Sequence, residues 1–218
     1  MTNRSIVFAA SLLSVSLAAA FSPGRQNPTP APTVDTKVER FLDSRRNSWH
    51  DMNVPEADGR ALFDIIVEHK YKRALEIGTS TGHSGIWIAW ALSKTGGKLI
   101  TIELDRDRRE QALANFREAG VADYIDARLG DAHEIVRALP GPFDFVFSDA
   151  DKGWYINYLK DLLPKLAVGG CFTAHNVADR AWGYNRDFLQ YARSLSYLET
   201  TAFTGGAGMS ISYKRANK

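Results

Sequence analysis

The chain is predicted to form an α/β domain: a mostly parallel seven-stranded sheet with one antiparallel strand near the C-terminus and helices on both faces. Three observations carry this. Apolar runs at residues 74–77, 98–102, 124–129, 143–147 and 170–174 have the length and composition of buried parallel strands. Stretches of helical spacing at 82–93, 106–119, 133–138 and 154–166 separate them, as right-handed crossovers require. The tail differs, because 198–203 and 209–214 are joined by the Gly-rich residues 205–208 and read as a hairpin-like pair.

Taken in order, the first 20 residues stand apart. Arg4 makes a short positive region, residues 6–17 are apolar apart from serines, and Ala18, Ala19 and Ala20 offer small residues for cleavage. A signal peptide over 1–20 is expected, which would export the protein to a periplasm or medium. The alternative is an uncleaved membrane anchor, for which the apolar stretch is short of the roughly 20 residues a span needs. After cleavage no stable membrane span is expected. Residues 21–36 hold Pro23, Pro28, Pro30 and Pro32 and read as a stiff, solvated linker, leaving 37–218 as the domain. Helices are expected at 38–49 and 55–69, the second with proline at its first turn and Ala61, Leu62, Ile65 and Ile66 on one face.

Composition excludes several classes. The 218 residues are 44% hydrophobic, enough for a core, and 27 basic against 25 acidic residues leave a net charge of +2. No basic run suggests nucleic acid, and the chain is too apolar to be disordered. Cys171 is the single cysteine, so no intrachain disulfide forms; inside an apolar run it reads as a buried, inert thiol.

In a parallel α/β sheet, ligands bind beyond the carboxyl ends of the strands. After the first strand comes EIGTSTGHS, residues 76–84, in which Gly78 and Gly82 allow a sharp turn and close approach of a ligand. The G-x-x-x-G spacing is neither a dinucleotide fingerprint nor a phosphate loop. Glu76 would repel a pyrophosphate but suits a cation such as the sulfonium of S-adenosylmethionine; a plain tight turn explains the same residues equally well. Glu103, about 20 residues on, can accept hydrogen bonds from ribose hydroxyls, a feature shared by nicotinamide and adenosylmethionine proteins. Asp105 reads as a helix N-cap. At the third strand end, Asp131 or the backbone could meet an adenine, or Asp131 could equally be a helix cap.

Together these pieces resemble a Rossmann-like class I methyltransferase, and specifically the catechol and caffeoyl-CoA O-methyltransferase family. The motifs that match in order and spacing are MNVPEADG at 52–59, ALEIG at 74–78 with TGHS at 81–84, DADK at 149–152 followed by Tyr155 and Tyr158, and HNV at 175–177. GMSI at 208–211 fits the family's last strand. The resemblance implies that Met52 and Val54 flank the methyl donor, that Gly78, Ser84 and Glu103 hold it with Glu76 nearby, and that Gly130, Ala132 and His133 lie by the adenine. It implies a divalent metal on Asp149, His175 and Asn176, with Asp149 also beside the donor, and Lys152 as general base for an acceptor hydroxyl. A metal holding two vicinal phenol oxygens would lower the hydroxyl pKa, which helps such a base at neutral pH.

The sequence departs from the family at His175, where the family has aspartate. Imidazole removes a negative charge and offers nitrogen, so the site could prefer zinc, manganese or iron, bind magnesium weakly, or have lost metal and left His175 as the base. A short segment after Asn176 replaces a longer family insert, with Trp182 and Tyr184 able to stack on an aromatic acceptor. The expected activity is methyl transfer from S-adenosylmethionine to a hydroxyl of a small catechol-like aromatic. The rivals are a non-catalytic binder of the same fold and a nicotinamide-dependent reductase, the latter disfavoured by the glycine spacing. A homodimer stays open.

Overall fold

The structure, a computed structural model, describes residues 31–46, 48–49, 52–177 and 183–216, without the side chains of 183–185. The segment expected to be a signal peptide, most of the expected linker, Trp182 and the Tyr184 side chain lie outside the described residues.

Helix α1, Val34–Arg45, begins inside the stretch expected to be linker, because the Thr33 side chain accepts from the Thr36 N–H and caps it. Val38 and Phe41 form its buried stripe. Helix α2, Glu56–His69, follows Pro55 and ends where Lys70 turns into the left-handed region. Its buried stripe is Leu62, Ile65 and Ile66, and it also includes Asp58.

Strand β1, Arg73–Ile77, leads into α3, His83–Thr95, which is apolar almost all round and buried from His83 to Leu92. Strand β2, Lys98–Glu103, is followed by α4, Arg106–Glu118, with the Asp105 carboxylate accepting from the backbone of Asp107 and Arg108 as its N-cap. Then come β3 (Ile125–Leu129), α5 (Ala132–Ala138), β4 (Phe143–Ser148) and α6 (Tyr155–Leu162). Single 3₁₀ turns flank α6. The expected helix over 154–166 is therefore shorter, and β5, Leu166–His175, starts earlier than expected. Helix α7, Gly183–Ser194, and strands β6, Leu198–Phe203, and β7, Met209–Lys214, complete the chain.

The sheet order is β3-β2-β1-β4-β5-β7-β6. β1 to β5 pair in parallel; β7 runs antiparallel to both β5 and β6, so it is the one reversed strand of seven. Right-handed crossovers put α3 and α4 on one face and α5 and α6 on the other. Accordingly α2 and α3 pack on Phe145, Phe147 and Cys171, while α5, α6 and α7 pack on Leu75, Ile77, Val146 and Phe172. α1 and α4 cover α3 through Phe41, Trp87, Trp90 and Phe116.

From β1 the chain moves outward to β2 on one side, while β4 lies on the other. The crevice therefore opens between the carboxyl ends of β1 and β4. Register aligns those ends: Ile77 sits beside Ile102 and Ser148, and Ser148 beside Ala174. Gly78, Glu103, Asp149 and His175 thus arrive at one edge of the sheet.

Candidate active site

That edge holds a cleft of two adjoining cavities, of about 640 and 400 Å³, which share Gly78, Glu103, Ala150 and Asp151. Gly78 has φ +96°, and a Cβ there would lie 2.8 Å from that of Ala150, so the turn after β1 needs glycine. Met52, Ser80, Asp151 and Asn176 also have positive φ, at 39°, 48°, 49° and 58°, and all four line the larger cavity. Of the five non-glycine residues with that backbone among the described residues, only Lys70, a helix cap, lies elsewhere. Strain concentrated at one place marks a functional cleft.

Glu103 ends β2 at the junction of the two cavities. Its Oε2 accepts the Ser80 N–H at 2.7 Å, and its Oε1 accepts the N–H groups of Leu104 and Asp105 at 3.0 Å each. The carboxylate is thereby aimed before any ligand arrives. Gly130, Ala132 and His133 line the smaller cavity. There the His133 ring stacks on Trp154 at 4.3 Å and meets Asp151 Oδ2 at 2.8 Å, offering a flat, polar-edged wall. Asp131 caps α5 by accepting from the His133 N–H. Ser84 and Met52 line the larger cavity, Met52 with 67% of its surface exposed.

Two expected cofactor contacts fall elsewhere. Val54 is buried in the core with Leu62, Ile66 and Met209 and lines a neighbouring cavity, although Asn53 and Pro55 on either side of it line the cleft. Glu76 is 0% exposed and lines neither cavity of the cleft. Strand alternation points it into the protein, where the Thr101 hydroxyl donates to Oε2 at 2.6 Å. Burial, and to a lesser extent the negative charge of Asp149 and Glu103, pushes the Glu76 carboxyl up to about 7, against opposing hydrogen bonds from Ser84 and Thr101.

Lys152, Asp149, His175 and Asn176 converge at the other end of the larger cavity. The Lys152 ammonium pairs with Asp149 and donates to the Tyr155 hydroxyl at 2.9 Å; that hydroxyl donates to the His175 carbonyl at 3.1 Å. His175 Nδ1 lies 3.1 Å from Asp149 Oδ1, and Nε2 lies 2.9 Å from Oδ2 of Asp58. Asp58 is a residue the sequence reading missed. It is fully buried, and its Oδ2 also accepts the Ala207 N–H at 2.8 Å. Burial by itself lowers the His175 pKa, but the carboxylates of Asp149 and Asp58 outweigh it and push the ring up to about 9.

Asp149, His175 and Asn176, the expected metal ligands, line one stretch of the larger cavity. Nε2 of His175 meets Asp58, whereas its buried Nδ1 lies 3.1 Å from Asp149 Oδ1 without forming a hydrogen bond, and that carboxylate also pairs with Lys152. Among the described residues no three His, Cys, Asp or Glu side chains are grouped to hold a metal ion. With the orphaned buried Nδ1 of His175 in it, the set is a mixed nitrogen and oxygen one of the kind zinc, manganese or iron accepts.

A signal for Asp58 was present. It lies on the same stripe as Leu62, Ile65 and Ile66, and a carboxylate on the buried face of a helix is rare unless paired.

The topology, the switch-point cleft and the clasped Glu103 define the class I methyltransferase fold. The chain belongs to the O-methyltransferase family, whose model matches residues 37–183. It is 37% identical over 137 residues to caffeoyl-CoA O-methyltransferase 1 of Eucalyptus globulus, covering 61% of this chain and 55% of that protein. It is 32% identical over 160 residues to the caffeoyl-CoA O-methyltransferase of Petroselinum crispum, covering 68% and 66%. The chain thus spans about half the length of the first of these relatives. Among solved structures it resembles the O-methyltransferase from Bacillus cereus in complex with SAH, at TM-score 0.71 and 25% identity over 84% of this chain and 92% of that one. It also resembles TomG from Streptomyces achromogenes, an O-methyltransferase involved in tomaymycin synthesis, in complex with SAM, at TM-score 0.69 and 26% identity over 87% and 92%.

Proposed function

We propose that the chain transfers a methyl group from S-adenosylmethionine to a hydroxyl of a small, catechol-like aromatic acceptor. The observation that carries this is a single cleft with a pre-aimed Glu103 in its middle and Lys152 at one end. A carboxylate already satisfied by three backbone N–H groups keeps lone-pair capacity for the ribose hydroxyls, and the flat His133 ring beside Gly130 and Ala132 suits an adenine. The sulfonium would then point toward Lys152.

The acceptor oxygen attacks the methyl carbon in line. An O–C bond forms, the C–S bond breaks with its electron pair returning to sulfur, and S-adenosylhomocysteine leaves. Holding the two centres in line is the larger part of the work. The hydroxyl proton passes to Lys152 as its neutral amine, which has first given its own proton to solvent. A vicinal diol suits this end of the cleft, because one hydroxyl meets Lys152 while its neighbour finds acceptor oxygens on Asp149 and Asn176. A divalent ion held by Asp149, His175 and Asn176 would lower the pKa of a bound acceptor hydroxyl and so assist the transfer.

Calorimetry with S-adenosylmethionine and NAD, followed by a methyl-transfer screen of phenols that includes catechol, tests the proposal. Adenosylmethionine binding with turnover supports it. Binding without turnover on any phenol points to a binding protein of the same fold, and preference for NAD overturns it.

A further inference from the structure

A lysine nitrogen rides on a flexible four-carbon stem, so it serves as a base only where something holds it against the arriving hydroxyl. Lys152 Nζ has two close partners, the Asp149 carboxylate and the Tyr155 hydroxyl, the latter at 2.9 Å. A third contact, to the Asp149 carbonyl, is long at 3.4 Å. A neutral amine has two N–H groups, one for each close partner, and its lone pair is then left for the acceptor. The two partners differ in kind. Asp149 lines the cleft and belongs to the expected metal set, whereas Tyr155 lines neither cavity of the cleft.

The Tyr155 hydroxyl is fixed in place and in direction. Its ring is 0% exposed and packs edge-on against Phe188, with 5.5 Å between centroids. A tyrosine hydroxyl carries one proton. Here that proton goes to the His175 carbonyl at 3.1 Å, so an oxygen lone pair is what faces Lys152. The hydroxyl thereby ties Nζ to the backbone at the end of β5. An ion on Asp149 would draw that carboxylate away from Lys152, and the hold of Tyr155 would remain.

We propose that Tyr155 is the positioning residue of the base, its hydroxyl holding Lys152 Nζ at the acceptor end of the cleft. The inference rests on the methyltransferase reading above and adds a residue to it. Because Tyr155 lies outside the cleft, it acts through Lys152, and losing its hydroxyl should cost turnover without touching the donor. A hydroxyl that merely braced the fold would matter equally with or without Lys152.

The test uses the full chain. Tyr155→Phe removes one oxygen and keeps the ring, including its contact with Nζ at 5.4 Å from the centroid. It should lower kcat about tenfold while the Kd for S-adenosylhomocysteine stays unchanged. Added to Lys152→Ala, the same change should alter kcat by less than about twofold, because the group it positions is gone. A second readout needs no turnover. Nuclear magnetic resonance of the ¹⁵N-labelled chain records lysine ammonium groups, and the Lys152 signal is the one missing from Lys152→Arg. Tyr155→Phe should speed the exchange of those protons with water at least about threefold. A folded Tyr155→Phe variant with the parent's kcat, losses that multiply with Lys152→Ala, or an unchanged exchange rate would each overturn the proposal. If no phenol is methylated, that failure belongs to the functional reading, and ammonium exchange still decides this one. If Tyr155→Phe does not fold, the parent decides: a Lys152 ammonium exchanging as fast as that of the exposed Lys70 would overturn the proposal too.

Discussion

Glu76 is a carboxyl group buried on β1 with Oε1 unpartnered and Oε2 accepting from Thr101, and its replacement by glutamine has a signed, pH-dependent consequence. Its folded pKa is about 7 against 4.5 for the free group, raised first by burial. A raised folded pKa means that the group's contribution to stability is fully present below about pH 4.5 and is lost as pH climbs to about 7. The gap of about 2.5 pH units, taken at about 1.36 kcal/mol each, is a loss of about 3 kcal/mol. Glutamine is the same size, keeps a carbonyl for Thr101 and never ionises. It leaves an amide buried where Oε1 had no partner, at a cost of about 1–3 kcal/mol that does not vary with pH. Glu76→Gln should therefore be less stable than the parent near pH 4.5 and equal or more stable above pH 7. Urea unfolding followed by circular dichroism across that range measures the difference directly, and the double difference between the two ends should be about 3 kcal/mol. A stability difference that stays flat from pH 4.5 to pH 8 would refute the reasoning, because the carboxyl would then titrate alike in folded and unfolded chains.

Three further outcomes are expected. Glu103→Ala removes the carboxylate clasped by Ser80, Leu104 and Asp105 and should weaken S-adenosylmethionine binding at least about tenfold by calorimetry, from the loss of about 1.5–3 kcal/mol of charge-assisted hydrogen bonding. Lys152→Ala and Lys152→Arg should both lower kcat by about 10²–10⁴-fold with donor binding intact, since arginine keeps the charge but cannot take a proton; full activity in Lys152→Arg would show that charge alone suffices. Gly82→Ala forces a side chain onto φ +94° and brings Cβ to 2.6 Å from the Phe116 ring, so it should destabilise the protein by about 2–4 kcal/mol in chemical denaturation.

Periodicity and turn chemistry determined the frame of this protein without help. β1, β2, β4 and β5 carry apolar runs because they are covered on both faces, whereas the edge strand β3, IDARL, is only partly buried. Asp105 is legible as an N-cap because the groups it satisfies lie two and three residues away. The alternation of elements then forces the strand ends to one edge, so Gly78, Glu103, Asp149, Lys152 and His175 could be assigned to a single cleft from their order alone. What tertiary structure decided lies in long-range direction. Glu76 follows the same strand that leads to Gly78, yet whether its side chain faces the cleft or the core depends on pleat and on what covers it. Val54 lies between two cleft-lining residues, Asn53 and Pro55, yet is itself buried in the core. The pairing that orients the His175 ring joins Asp58 to His175, 117 residues apart. Residue types at 58 and 175 are visible in the sequence, but their meeting is set by how α2 packs against β5 and how the β6–β7 loop folds over both, and no local spacing encodes that.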